Sequence, residues 1–223
     1  MAKKSLVPAL IAEFAGTAVV VLAQVGTGAQ MFLLTGNAGL TIIAVAAVTA
    51  LALAFGLRLA GPISGGHFNP AVTLTLALTG SIRLTYLLPY AIAQVAGGIS
   101  GAIVANVLWG EYAVSAAPGI TPTLQPLISE IVASVVLISI YALAVWRGTP
   151  RLTVSLVPLW VGAAMLFTPT NAVANPAFTI GRAFTDSFAS IGTNAVATFV
   201  GAQLIAAVAV AALQWATGRR GDQ

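Results

Sequence analysis

The sequence predicts an all-α integral membrane protein of six spanning helices plus two re-entrant half-helices, arranged as an inverted repeat. Three observations carry that prediction. Hydrophobic residues fill 59% of the 223 positions and charged residues only 6%, whereas soluble domains carry roughly 25% charged residues. Six apolar runs are separated by short connections, and a helical span needs about 20 apolar residues. The triplet Asn-Pro-Ala occurs twice, at Asn69-Pro70-Ala71 and at Asn175-Pro176-Ala177, once in each half of the chain.

The first run, roughly 6–28, follows Lys3 and Lys4 and lacks a small-residue cleavage pattern. It reads as a retained span and not as a cleaved signal peptide. Runs at 39–60 and 86–108 complete the first half, and runs at 126–146, 152–168 and 189–216 make the second. One domain over 1–223 therefore holds two repeats, approximately 6–108 and 126–216.

Between the second and third runs, the irregular stretch 61–70 leads into Ala71 to Thr79. Between the fifth and sixth, 168–176 leads into Ala177 to about Ser187. Asn is a favoured N-cap, and Pro at the first helical position has no N–H to lose. Each triplet is thus read as the start of a helix of ~10 residues, half a bilayer at 1.5 Å per residue. Irregular backbone at that depth is tolerated only inside protein or beside a water-filled cavity.

Polar residues repeat the pattern: Glu13, Asn69 and Gln94 in the first half match Glu130, Asn175 and Gln203 in the second. Three spans per repeat, an odd number, force the second copy to enter the membrane inverted. Inverted repeats with broken helices mark a substrate path. Lys3, Lys4, Arg58, Arg83, Arg147, Arg151, Arg219 and Arg220 fall on one side of the bilayer and Arg182 on the other. The positive-inside rule then places both termini in the cytoplasm, with the chain in the cell membrane (plasma or inner).

Composition also excludes functions. The net charge of +4 comes from scattered residues at the ends of apolar runs, which is no nucleic-acid surface. There is no Cys, which removes disulfides, thiolate metal sites and a cysteine nucleophile. One His and five acidic residues cannot furnish an embedded enzyme's cluster, so no catalytic residue, metal or cofactor is expected. A coupled secondary transporter, the distant alternative, needs intramembrane charges placed for coupling, and apart from Glu13 and Glu130 the span centres carry none.

At Asn69 and Asn175 two half-helix N-termini face the membrane centre, each carrying up to about half a positive charge. That disfavours cations at the pore centre. Each Asn amide can also donate to a passing oxygen, which turns a water's hydrogens outward and interrupts a proton wire. His67, two residues before Asn69, reads either as a pH sensor or as a side chain bracing its loop.

The segments Ser64-Gly-Gly-His-Phe-Asn-Pro-Ala-Val-Thr73, Asn175-Pro-Ala, Glu13-Phe-Ala-Gly-Thr17 and Ala93-Gln-Val-Ala-Gly97 closely resemble the aquaporin (major intrinsic protein) family. The resemblance covers essentially the whole chain. It implies passive passage of water or small neutral solutes across the bilayer, one pore per subunit, and a homotetramer. It implies that Glu13 and Glu130 accept hydrogen bonds from the loop backbone, leaving carbonyls of Gly65, Gly66, His67, Ala172, Val173 and Ala174 to line the pore.

One position departs from the family. Where its members usually carry an arginine after the second triplet, this chain has Phe178, followed by Thr179-Ile-Gly-Arg182. Thr179 also stands where glycerol facilitators typically place Asp. By the family pattern, Thr49 and Ala172 join Phe178 in the outer constriction, with Met165 and Phe167 as candidates from the fifth span. An apolar constriction of this kind favours wider, less polar neutral solutes, with a strict water channel as the alternative. Arg182, four residues on and on the same helical face, is expected either to supply positive charge at the outer vestibule or to pair with Asp186 or contact a neighbouring loop. The Thr-Ile-x-Arg run is similar to a bacterial subgroup associated with arsenic resistance, which implies passage of neutral metalloid acids such as arsenous acid, beside polyols.

Overall fold

The computed structural model describes residues 6–110, 114 and 123–218. Eight α-helices follow in chain order: α1 (Leu6–Thr35), α2 (Ala38–Ser64), α3 (Pro70–Leu78), α4 (Leu87–Leu108), α5 (Leu124–Trp146), α6 (Thr153–Phe167), α7 (Pro176–Gly181) and α8 (Val196–Ala216). Among the described residues there is no strand. Six of the helices, extended where short 3₁₀ turns lead into them, are long and apolar enough to cross a membrane. Lys3, Lys4, Arg219 and Arg220, four of the nine basic residues used for orientation, lie outside the described residues.

Helix boundaries follow local chemistry. α2 begins at Asn37, whose side chain accepts the Leu40 N–H at 3.0 Å, and ends at Gly65 with φ of 93°, a left-handed conformation that glycine adopts without a Cβ penalty. α3 starts as its triplet predicts: Pro70 is the first helical residue and Asn69 Oδ1 accepts the Ala71 N–H at 2.9 Å. Asn175 repeats this for α7, accepting from Ala177 at 2.9 Å and Phe178 at 3.4 Å.

Two lengths differ from the sequence reading. α1 continues to Thr35 instead of stopping near 28, because Gly26 and Gly28 do not break a helix that membrane and neighbours already enclose. α7 covers six residues and tightens into a 3₁₀ turn, Arg182–Phe184, instead of running to about Ser187. The chain turns there because Arg182 donates its Nε–H to the Ala189 carbonyl and its own carbonyl accepts the Ile191 N–H at 3.1 Å.

The two halves interlock through their half-helices. α3 packs on α8 of the second half, where Thr75 Oγ1 donates to the Ala207 carbonyl at 3.0 Å. α7 packs on α4 of the first half. That crossing needs glycine on both sides: a Cβ at Gly98 would sit 2.5 Å from the Ala177 carbonyl oxygen, and one at Gly181 would strike the Gly98 backbone. Large apolar side chains such as Leu33, Leu51, Phe55, Leu88 and Leu159 point outward, as the lipid-facing surface of a membrane protein requires.

Candidate pore

Two buried carboxylates shape the loops that precede the half-helices. Glu13, fully buried on α1, accepts the backbone N–H of His67 at 2.9 Å and of Phe68 at 2.6 Å. Ser64 Oγ and Gln94 Nε2 complete its coordination at 2.6 and 2.7 Å. Glu130, equally buried on α5, accepts from Val173 at 3.0 Å, Ala174 at 2.8 Å and Gln203 Nε2 at 2.6 Å. A carboxylate offers about four acceptor sites, so both are close to saturated. Such bonds hold the loop N–H groups inward and turn the carbonyls the other way.

The loop backbone is bent accordingly. Phe68, Ala172 and Ala174 adopt positive φ of 50°, 41° and 47°. For residues other than glycine that costs of order 1 kcal/mol or more each, and the glutamate bonds supply the constraint that keeps them there.

The correspondence between halves extends to two threonines. Gln94 Nε2 also reaches Thr73 Oγ1 at 3.0 Å, and Gln203 Nε2 reaches Thr179 Oγ1 at 3.0 Å. Each threonine returns its hydroxyl to the capping Asn carbonyl, Thr73 to Asn69 at 3.0 Å and Thr179 to Asn175 at 2.9 Å. The signal was present in the sequence, as Asn-Pro-Ala-x-Thr in both copies.

The asparagines brace each other's loop. Asn69 Nδ2 donates to the Ala174 carbonyl at 2.8 Å, and Asn175 Nδ2 to the Phe68 carbonyl at 2.7 Å. An amide nitrogen carries two hydrogens, so one of each remains for the cavity. Two of the loop carbonyls expected at the pore are themselves hydrogen-bonded: Gly66 accepts from Tyr141 Oη at 2.6 Å and Ala174 from Asn69.

A narrow cavity of about 20 Å³ lies at this junction, room for roughly one water. Asn69 and Asn175 line it, with His67, Ala172 and Val173 from the loops and Phe178 from α7. Gly65, Gly66 and Ala174 sit beside it without lining it. Its remaining wall is Gln24 of α1, Leu53 of α2, Phe68, Leu137 and Tyr141 of α5, and Val157 and Val161 of α6. His67 is buried, with Nδ1 3.1 Å from Thr73 Oγ1 and its ring 5.3 Å from that of Tyr90. It ties its loop to α3.

A second small cavity lies outward, lined by Val45 of α2, Met165 of α6, Asn171, Arg182 and Phe188 among others. Thr49 lies on α2 midway between Val45 of this cavity and Leu53 of the first, each one turn away. It is fully buried and its hydroxyl has no hydrogen-bond partner. Arg182 is 6% exposed, with Nη1 unpartnered, and among the described residues it makes no ion pair with Asp186.

Of the two residues named for the fifth span, Met165 is buried at this outer cavity and Phe167 is not. Phe167 is 61% exposed and packs edge-on against Trp160 at 5.9 Å. The physical reason is helical phase. Val157, Val161 and Met165 repeat every four residues on the inward face of α6, and Phe167 falls outside that stripe. Sequence reading missed Gln24, Leu53, Phe68, Leu137, Tyr141, Val157 and Val161. In apolar spans such residues stand out only when they are polar, as Gln24 is.

The sequence profile of the family described as Major intrinsic protein matches residues 1–174. The chain is similar to the aquaglyceroporin AqpS of Rhizobium meliloti strain 1021, 35% identical over 206 residues that cover 92% of this chain and 88% of that protein. It is also similar to aquaporin Z of Photorhabdus laumondii, at 32% over 186 residues, covering 75% and 80% of the two chains. The crystal structure of the aquaglyceroporin from Plasmodium falciparum superposes with a TM-score of 0.75 at 21% identity, over 94% of this chain and 96% of that one. At that identity the likeness concerns the fold.

Proposed function

The chain belongs to the major intrinsic protein family, and on that premise we propose that its pore passes small uncharged solutes past a partly apolar constriction at Phe178, which lies beside the paired asparagines instead of at the outer cavity, while excluding ions and protons. It is a multi-pass membrane channel of passive type and not an enzyme. Water and glycerol are the solute classes that membership supports. The finer reading concerns which of them pass, and how.

The single observation that carries it is the position of Phe178 at the cavity that Asn69 and Asn175 also line. A phenyl ring there offers neither charge nor donor, so on that side of the cavity a solute's lost hydration is not replaced. Less polar neutral solutes lose less. Neutral metalloid acids such as arsenous acid and polyols belong to that class, and Thr49, Ala172 and Met165 are small or flexible enough to leave room for them. The cavity as it stands holds roughly one water, and in this reading larger solutes pass when the Phe178 ring turns.

Cation exclusion rests on the two half-helix ends and on Arg182 at the outer cavity. α7 is only six residues long, so its end contributes less than that of α3, and Arg182 adds fixed positive charge just outside it. Coupled transport is disfavoured because both intramembrane carboxylates are occupied by loop backbone and glutamine bonds. Both termini cytoplasmic in the cell membrane, and a homotetramer with one pore per subunit, complete the proposal.

Stopped-flow light scattering on proteoliposomes, with separate water, glycerol and arsenite gradients, tests this reading. Flux of glycerol or arsenite above empty vesicles is the expected result. Water flux without either would replace it with the strict water channel.

A further inference from the structure

Among the described residues, Gln24 is the one polar side chain lining the inner cavity for which no hydrogen bond is found. Five polar side chains line that cavity: Gln24, His67, Asn69, Tyr141 and Asn175. His67 bonds Thr73, Tyr141 bonds the Gly66 carbonyl, and the two asparagines bond the opposite loops. Gln24 is 3% exposed, and its Oε1 has no partner. Leaving a buried acceptor unsatisfied is destabilising, and its buried neighbours on α1 are Val20, Val21 and Val25. An apolar residue would therefore serve α1 better if packing were the whole role.

Height along the helix places this amide. Glu13 on the same helix bonds the inner loop, and Gln24 lies eleven residues further along α1, roughly 16 Å at 1.5 Å per residue. That carries it past the first loop toward the outer cavity, on the side where Phe178 provides no polar group.

We propose that the Gln24 carboxamide is a solute-binding station in the outer half of the pore, its Oε1 accepting a hydroxyl hydrogen from a neutral hydroxylated solute. The ligand class is water, polyols and hydroxy acids of metalloids, all of which carry O–H donors and no charge. Resting on the channel reading above, the assignment explains how a constriction with a phenyl ring in place of charge can still replace part of a solute's hydration. Asn69 and Asn175 offer donors at one end of the cavity, and Gln24 offers an acceptor, so a hydroxyl group passing between them is met on both its oxygen and its hydrogen.

The test compares the unaltered protein with Gln24→Met, Gln24→Ala and Gln24→Asn in proteoliposomes, measuring water and glycerol permeability by light scattering. Met keeps the length without the amide and is expected to lower glycerol permeability about tenfold, the equivalent of one lost hydrogen bond. Ala enlarges the bore, yet the glycerol-to-water ratio should still fall, and Asn should recover part of it. If the unaltered chain passes water alone, water permeability is the readout and the same fall is expected. An unchanged or raised value in folded Gln24→Met and Gln24→Ala overturns the proposal, since it makes the amide an obstruction. Failure of both variants to fold overturns it as well, since it makes Gln24 a packing residue. If the unaltered chain carries no flux above empty vesicles, the channel reading itself fails, which is a separate result.

Discussion

Asn69 Nδ2 donates to the carbonyl oxygen of Ala174 across 2.8 Å, although the two residues lie 105 positions apart in the chain. Asn175 returns the same bond to Phe68 at 2.7 Å. Each asparagine thus does two things at once: its Oδ1 caps its own half-helix and its Nδ2 locks the opposite loop. The halves of the pore hold each other in register at the point where their dipoles meet.

Replacing Asn175 by Asp keeps the cap, because a carboxylate oxygen accepts the Ala177 and Phe178 N–H groups equally well. It removes the donor to Phe68 and introduces negative charge at the cavity that the two asparagines line. The expected outcome is a stability loss of about 1 kcal/mol together with a rise in proton leak of about tenfold or more. A pH-sensitive dye inside proteoliposomes, read after an imposed pH step, measures the leak.

Glu130→Gln preserves shape and removes half of the acceptor capacity that holds Val173 and Ala174. An amide nitrogen then faces a backbone N–H, donor against donor. Breaking a charge-assisted bond and stranding a buried N–H should cost about 2–4 kcal/mol, and the positive φ of Ala172 and Ala174 would relax. Thermal unfolding in detergent should show a lower midpoint, and water permeability should fall with it. Glu13→Gln is expected to act in the same direction.

Phe178→Arg adds donors and charge beside the cavity and narrows what can pass. The glycerol-to-water permeability ratio is expected to drop at least about tenfold, and any arsenite flux with it. Phe178→Ala should do the opposite for glycerol by removing the ring that must turn. Paired light-scattering traces on the two variants decide the matter, and equal ratios in both would show that residue 178 does not set selectivity.

Arg182→Ala removes the buried guanidinium at the outer cavity and its bond to the Ala189 carbonyl. If its charge guards the entrance, cation leak should rise severalfold while water permeability stays within about twofold. Ion leak and solute flux both unchanged would leave Arg182 as a brace for the loop that follows α7. Arg182→Lys separates the roles, because it keeps the charge without the planar, multi-donor guanidinium.

Much of this arrangement was legible in the chain. The two triplets announce their half-helices through local capping chemistry, and Glu13, Glu130, Gln94 and Gln203 could be paired by position before any contact was known. Less accessible were the ends of α1 and α7. Helix length in an apolar span is set by where neighbours and membrane stop enclosing it, and the turn after Gly181 depends on a bond from Arg182 to a carbonyl seven residues on. Phe167 illustrates a different limit. In lipid, a helix is apolar all round, so hydrophobic periodicity does not distinguish the face toward the pore from the face toward the acyl chains.

By itself, then, the sequence determined that the chain spans a membrane six times, that two broken helices start at Asn69 and Asn175, and that one half repeats the other. Those properties follow from composition and from interactions within a few residues. Only the tertiary structure decided that Met165 and not Phe167 faces the outer cavity, that the asparagines lock opposite loops, and that Gln24 lines the inner cavity with its buried Oε1 unpartnered. These are contacts between residues far apart in the chain, and their geometry exists only once the half-helices have packed against the opposite repeat.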